Sequence, residues 1–314
     1  MADLFTFGEA LALFLAKDTD SVATAREFTL EPAGAEANVA VAVTRLGLTC
    51  MFQSRLGTDQ LGDVIISELM KENIDVSRVK RVENYTGSMA RNRGTTQSVN
   101  ATYMRKSSAA STMEPSDLNI SDIQSCRWLH ATGITAAISE SARLTVAEGL
   151  NIARTVGIGK SFDLNVRRKL WSDIKAREVL IALAKDVDIL FGGEDEYQLV
   201  WESQDPKVNL KRATDQGNTT AIMTAGPELI RVLRDGIYFE ISPPVVKAVD
   251  PVGSGDAFVA GTLAGLLSGL ELKEAIIQGS ENGAAVAASI GDWTGLLYGV
   301  GGRKLDDVKR NSTP

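Results

Sequence analysis

Residues 160–191, KSFDLNVRRKLWSDIKAREVLIALAKDVDILF, decide the architecture. A short strand-forming segment (160–163) runs into a helical one (174–184), and a second apolar strand follows (189–191). Working outward, the same alternation recurs. Strands are expected at 4–7, 50–53, 128–130 and 221–224. Helices are expected at 36–46 (closed by Gly47), 63–71, 142–155, 256–267 and 272–290. Strands spaced by helices predict an α/β fold with a doubly wound, mostly parallel sheet. In such sheets ligands sit at the carboxyl ends of the strands, so chemistry is sought there. Two stretches break the rhythm. Residues 82–108 carry no helical pattern, and 98–106 alternates as a strand; residues 11–32 behave alike. Together they predict a small sheet projecting from the main layer.

The 314 residues are 44% hydrophobic and 23% charged, which excludes a disordered, collagenous or coiled-coil chain. Lys plus Arg (33) against Asp plus Glu (40) gives a net charge of −7, which argues against nucleic acid and anionic membrane surfaces as partners. One histidine, His130, excludes multi-histidine zinc sites and argues against a histidine general base. Cys50 and Cys126 lack paired spacing and read as buried apolar residues of a reducing compartment. No apolar run reaches the ~18 residues needed to span a bilayer. Residues 1–16, MADLFTFGEALALFLA, lack a basic leader and are interrupted by Gly8-Glu9, which predicts a first strand rather than a signal peptide. The expectation is a soluble, cytoplasmic protein.

The stretch that carries chemistry is VDPVGSGDAFVAG, residues 249–261. Gly253, Ser254 and Gly255 let backbone amides turn toward a ligand, and the helix that follows adds unsatisfied N–H groups and a positive dipole end. Such a corner suits an anion that gains charge during transfer, and Asp256 in the same corner is placed to accept a proton from a hydroxyl. Phosphoryl transfer requires positioning, charge neutralisation and a base, of which this segment offers two. The plain alternative is a helix capped after a tight glycine turn. No GK[ST] loop and no dinucleotide GxGxxG is present.

This stretch resembles the C-terminal signature of the ribokinase-like carbohydrate kinases, the phosphofructokinase-B family. AGAEANVAVAVTRLG (33–47) is similar to that family's N-terminal signature, and RLGTDQLGD (55–63) to its G-x-D-x-x-G segment. Three motifs in the family's order extend the resemblance to about Gly302. Within the family, AGAEANVA, TYMRKSSAAST (102–112) and FDLNVRRKLW (162–171) resemble the 2-keto-3-deoxygluconate kinases. The resemblance implies one ribokinase-like α/β domain over 1–314, with lid segments near 11–33 and 84–108. It implies ATP and Mg2+ as cofactors and transfer of the γ-phosphate to the 6-hydroxyl of the sugar acid. The alternatives are a kinase for fructose or another keto-deoxy sugar, or a non-catalytic sugar- or nucleotide-binding protein. The lid would be the route to a homo-oligomer.

Residue by residue, Asp256 is expected as the base, with Gly253, Ser254 and Gly255 around the transferring phosphate. In a strand, Tyr103 and Arg105 share a face, and an aromatic rim beside a guanidinium suits a sugar carrying a carboxylate; an exposed strand with an ordinary arginine reads equally well. Arg167, after the 160–163 strand, could reach the carboxylate or the phosphates, or belong to the solvated cluster Arg167-Arg168-Lys169. Asn38 could bond sugar hydroxyls or cap its helix, and Gly34 could admit a ligand or form a turn. The resemblance implies that Gly34 and Asn38 contact the sugar. It also implies that Asn165, Thr224, Gly226 and Asn282 serve the nucleotide and Glu196 serves magnesium. For Glu196 the alternative is an acidic helix start, and for Asn282-Gly283 close helix packing. Pro251, Gly193, Ala33 and Met89 depart from the family pattern.

Overall fold

The computed structural model describes residues 2–93 and 100–299. The chain separates into two compact units, 112–243 in one and 2–111 with the segment from 244 onward in the other.

The discontinuous unit begins with β1 (Leu4–Phe7), buried throughout, followed by β2 (Leu11–Ala16) and β3 (Phe28–Ala33). Helix α1 (Ala35–Arg45) is buried from Ala35 through Val43, as its alanine- and valine-rich sequence predicts for a helix inside a core. It delivers the chain to β4 (Cys50–Gln53), which lies parallel to β1 with Phe7 opposite Gln53. After β5 (Arg55–Gly57) comes α2 (Gln60–Lys71), capped by Asp59, whose Oδ1 accepts from the Gly62 amide at 2.9 Å. Then follow β6 (Lys80–Val82), β7 (Ser88–Arg91) and β8 (Ala101–Met104).

The two stretches without helical rhythm form one four-stranded sheet, ordered β3-β2-β7-β8. Its outer pairs are antiparallel and its central pair, β2 with β7, is parallel. Leu11, Leu13, Leu15, Ala33 and Met89 form its apolar cluster. Of the strand expected over 98–106, residues 98 and 99 lie outside the described residues, and the described part is β8.

The 112–243 unit holds α3 (Ile120–Gln124), β9 (Trp128–Thr132), α4 (Gly133–Ile138), α5 (Glu140–Val156), β10 (Gly159–Asp163), α6 (Asp173–Leu183), β11 (Ile189–Gly193), α7 (Glu194–Trp201), α8 (Pro206–Thr214), β12 (Thr220–Thr224), β13 (Ile230–Arg234) and β14 (Ile237–Ile241). Strands β9 to β12 are parallel neighbours in chain order, each pair joined by helices. The helix starts follow local chemistry: Ser139 and Ser172 accept amides of the first turns of α5 and α6, and Asp205 with Pro206 opens α8. β13 and β14 add an antiparallel hairpin. Its turn is Asp235-Gly236, both at positive φ (50° and 77°), the pairing a tight two-residue hairpin requires.

The chain returns to the first unit with α9 (Ser254–Leu267) and α10 (Leu272–Ala287). The expected helical run to residue 290 is one helix ending at Ala287. These helices cross at glycines: a Cβ on Gly261 would stand 2.8 Å from the Gly279 Cα, and one on Gly283 2.9 Å from the Ser254 carbonyl oxygen. Among the described residues no helix is long and apolar enough to cross a membrane. Cys50 and Cys126 are both free and buried.

Candidate active site

In the discontinuous unit, the chemistry gathers at the start of α9. Gly253 caps the helix at φ 80°, and a Cβ there would also stand 3.2 Å from the Asp292 carbonyl oxygen. Only glycine meets both conditions without strain. Around Gly255 the Cβ position is open. Asp256, in the first helical turn, is 8% exposed. Its Oδ2 accepts from Asn38 Nδ2 at 2.7 Å, reaching across from α1.

Asn38 is itself fully engaged. Nδ2 also donates to Asp292 Oδ2 at 3.2 Å, and Oδ1 accepts from Trp293 Nε1 at 2.8 Å. Asp292 is held by Arg91, whose Nη2 donates to Oδ1 at 3.0 Å. The other arm of that guanidinium, Nη1, donates to Asp250 Oδ2 at 2.8 Å. Asp250 also accepts from the amides of Gly291 and Val252. Arg91, Asp250 and Asp292 are almost wholly buried. One guanidinium thus faces several acids. Burial, opposed by Arg91, pushes Asp292 above its ordinary range, and burial also raises nearby Glu31. Arg91, Asp292 and Trp293 lie outside every sequence motif, and Asp250 lies within the 249–261 stretch without an expected role.

Four expected site residues make contacts within the protein. The amide of Asn38 is taken up by two carboxylates and an indole. Ser254 directs its amide (3.2 Å) and its hydroxyl (2.7 Å) to the Pro251 carbonyl, closing the turn instead of facing a phosphate. Asn282 is fully buried, donating to the Ala257 carbonyl at 2.9 Å and accepting from the Leu297 amide at 3.1 Å; it ties α10 to α9 and to the segment after it, and does not line an adenine pocket. Gly34 (φ 136°) is glycine because a Cβ would overlap the Glu9 carbonyl oxygen, a backbone approach within the protein.

Tyr103 and Arg105 do come together, the guanidinium carbon lying 5.5 Å from the ring centroid. Arg105 is not the exposed cation the strand pattern allowed. It is buried and ion-paired with Glu9, which also accepts from Ser108 Oγ at 2.8 Å. Burial pushes the Glu9 carboxyl up, opposed by Arg105. Arg105 Nε is buried without a partner.

In the 112–243 unit, expected residues line the carboxyl ends of β10, β11 and β12. Asn165, at φ 37°, donates to Asp163 Oδ2 at 3.1 Å. Glu196 accepts the Val166 amide on Oε1 (2.5 Å) and the Gly193 amide on Oε2 (2.8 Å). The acidic helix start is therefore realised. Burial, and next the charge of Asp163, push Glu196 up to about 7. Two buried like charges in one place are the electrostatics of a site completed by a cation. Among the described residues no cage of three or more metal-binding side chains exists, so a magnesium ion there would complete its shell with phosphate and water, as that ion ordinarily does. Arg167 is exposed and lowers Glu196; Arg168 is paired with Asp173. Thr224 ends β12, and Gly226 (φ 54°) sits in the turn to β13 with open space at its Cβ. His130 Nδ1 and Ser161 Oγ are 2.9 Å apart, and burial holds this histidine down at about 3, so it is neutral and no base.

A "2-dehydro-3-deoxygluconokinase" of Bacillus subtilis (strain 168) is 34% identical over 305 residues, covering 94% of this chain and 92% of that protein. A "2-dehydro-3-deoxygalactonokinase" of Haloferax volcanii is 31% identical, with 93% and 92% covered. The crystal structure of a PfkB protein from Polaromonas sp. JS666 superposes with a TM-score of 0.85 at 31% identity, covering 92% of this chain and 97% of that one. The model of the pfkB family carbohydrate kinases matches residues 1–296. With its ribokinase-like fold and an aspartate at a glycine-led helix start, the chain belongs to the PfkB family and is a carbohydrate kinase.

Proposed function

We propose that the chain transfers the γ-phosphoryl group of ATP to the 6-hydroxyl of 2-keto-3-deoxygluconate. The observation that carries the reading is the oriented carboxylate of Asp256 at the start of α9. Asp256 accepts the hydroxyl proton as the sugar oxygen bonds to the γ-phosphorus. The bond from that phosphorus to the β-phosphate oxygen breaks, and ADP leaves. The Gly253–Gly255 corner and the helix dipole favour the charge on the transferring group. Arg105 offers its buried Nε to the sugar acid. In the other unit, Thr224, Gly226 and Asn165 serve the nucleotide and Arg167 its anionic groups. Asp163 and Glu196 would hold magnesium, which neutralises phosphate oxygens when bound.

The sugar assignment is supported by the 34% identical relative of that name. A second reading, the C4 epimer 2-keto-3-deoxygalactonate, is favoured by the 31% identical one. ADP release measured across both acids and fructose tests this: kcat/KM highest on 2-keto-3-deoxygluconate is expected, and preference for fructose overturns it. The β3-β2-β7-β8 sheet is the lid whose closure excludes water. Register puts Phe28, Leu30 and Met104, all exposed, on one face of it, opposite the Leu13–Met89 cluster. That face suits a second copy of the chain. Two free, buried thiols suit the cytoplasm.

A further inference from the structure

We infer that Arg91 is a positioning residue for the Gly253–Gly255 corner, holding together the two loops that shape it. The inference rests on that corner receiving the transferring phosphoryl group. Arg91 ends β7, and its side chain is 1% exposed. Two loop segments meet at its guanidinium. The first, Asp250–Gly253, runs into α9; the second, Gly291–Asp292, follows α10. They approach each other at the corner, where a Cβ on Gly253 would stand 3.2 Å from the Asp292 carbonyl oxygen. Nη1 donates to Asp250 Oδ2 at 2.8 Å and to the Asn92 carbonyl at 3.2 Å, and Nη2 donates to Asp292 Oδ1 at 3.0 Å. Asp250 spreads that hold along the backbone: its Oδ1 accepts the Val252 amide at 3.3 Å, next to Gly253, and its Oδ2 the Gly291 amide at 3.2 Å. Neither segment is helix or strand, so its course depends on contacts of this kind. A guanidinium is planar and carries its donors in a fixed fork, so it holds two carboxylates at one separation. It also offsets their repulsion. Asp250 and Asp292 are buried like charges, and Glu31 adds a third acid beside Gly291, whose Cβ would stand 2.9 Å from Glu31 Oε2. Without the guanidinium the acids push the two loops apart, and the corner between them opens. Donors that stabilise a transferring charge must sit within hydrogen-bond reach of it, and losing one costs on the order of 10²–10³-fold in rate.

The test uses the full chain with ATP and the sugar acid it turns over fastest. Arg91→Lys keeps the positive charge but replaces the fork by one ammonium, which cannot hold both carboxylates at that spacing. We expect kcat to fall about 10–100-fold, with KM for sugar and for ATP within about 3-fold, because the loss falls on the transition state. Affinity for ADP with aluminium fluoride, which mimics the transferring phosphoryl group, should drop by the same factor, while affinity for ADP alone should hold. A merely structural role would lower the melting temperature and leave kcat and both affinities unchanged below it. Asp250→Asn attacks the clamp from its other end. An amide has one oxygen, so either the Val252 amide or the Arg91 and Gly291 donors then meet an NH2 group. It should show the same pattern, and it decides alone should Arg91→Lys fail to fold. Wild-type kcat with a lowered melting temperature in either variant would overturn the inference. So would a rise in sugar KM of about tenfold with kcat retained in Arg91→Lys, which would make Arg91 a sugar contact. Gly253→Ala, in the corner itself, is run beside them. Parent-like turnover there removes the reading of the corner; an impaired Gly253→Ala beside an unaltered Arg91→Lys removes only the positioning role.

Discussion

Asp256 and Glu196 occupy the same place in two different helices. Each is the third residue of a helix capped by glycine, Gly253-Ser-Gly-Asp256 on α9 and Gly193-Glu-Asp-Glu196 on α7. From the pattern alone they are near twins. Their carboxylates are held by different partners. Glu196, one methylene longer, reaches back to accept from the amide of its own cap, the half of a capping box that a glycine cap allows, and accepts from the Val166 amide. Asp256 is held by a side-chain amide 218 residues away in sequence. The electrostatics differ as well. The acids around Asp256 share a buried guanidinium, whereas Glu196 has Asp163 as its charged neighbour and is driven upward. A first-turn acid fixed by its own backbone beside a like charge is suited to a cation. One oriented by distant donors is suited to take a proton.

The largest expected effect separates the two directly. Asp256→Asn keeps the shape and removes the base, so kcat should fall by about 10²–10⁴-fold with little change in either KM. Glu196→Gln should instead act on the magnesium dependence of the rate. Comparable kcat loss in both variants at saturating magnesium would erase the distinction. Next in size is Arg91→Met. It leaves Asp250 and Asp292 buried without their cation, and removing one partner of a buried ion pair costs about 3–5 kcal/mol. Urea unfolding should show that loss, and a variant as stable as the parent would mean that the acids are relieved in another way.

How far the sequence foretold this follows from the range of each interaction. The strands β9 to β12 and the helices between them were readable because their signals are local: apolar runs, serine caps, glycine stops. The β13–β14 hairpin went unpredicted although Asp235-Gly236 announces such a turn, because arginines, a tyrosine and a glutamate dilute the alternation of its strands. In the site, the 249–261 stretch placed Asp256 at a glycine-led helix start; that the acid is buried there is read from the fold. The partners of Asn38 and Asn282 were not legible because an amide's valence is filled by whatever the fold brings near. For Asn38 those partners lie 218, 254 and 255 residues away. Arg105 was legible as a guanidinium beside Tyr103, but its partner Glu9, 96 positions earlier, was not. Met89, one of the departures from the family pattern, packs among the leucines of the small sheet.

The smallest expected effect is a slope of stability with pH, and it probes Glu196 as a cation site. Its carboxyl titrates near 7 in the folded chain against an ordinary value of 4.5. Between those values the folded state binds a proton that the unfolded state has already released. Stability is then lost as pH rises through that window, and the contribution is fully present only below 4.5. The two backbone amides on its oxygens favour the charged form and are already reflected in that value, so a change on the order of 2–3 kcal/mol between pH 5 and pH 8 is expected, each pKa unit being worth about 1.4 kcal/mol. Magnesium with ADP should reverse the sign. A cation that requires the ionised carboxylate stabilises the fold more at pH 8 than at pH 5, and binding near pH 6 should release a proton into the buffer. Melting curves at pH 5, 6, 7 and 8, with and without magnesium and ADP, measure both. A magnesium-induced shift in melting temperature that is equal at pH 5 and pH 8 would mean that the ion does not meet Glu196. The resemblance between the two helix starts would then end at their sequences.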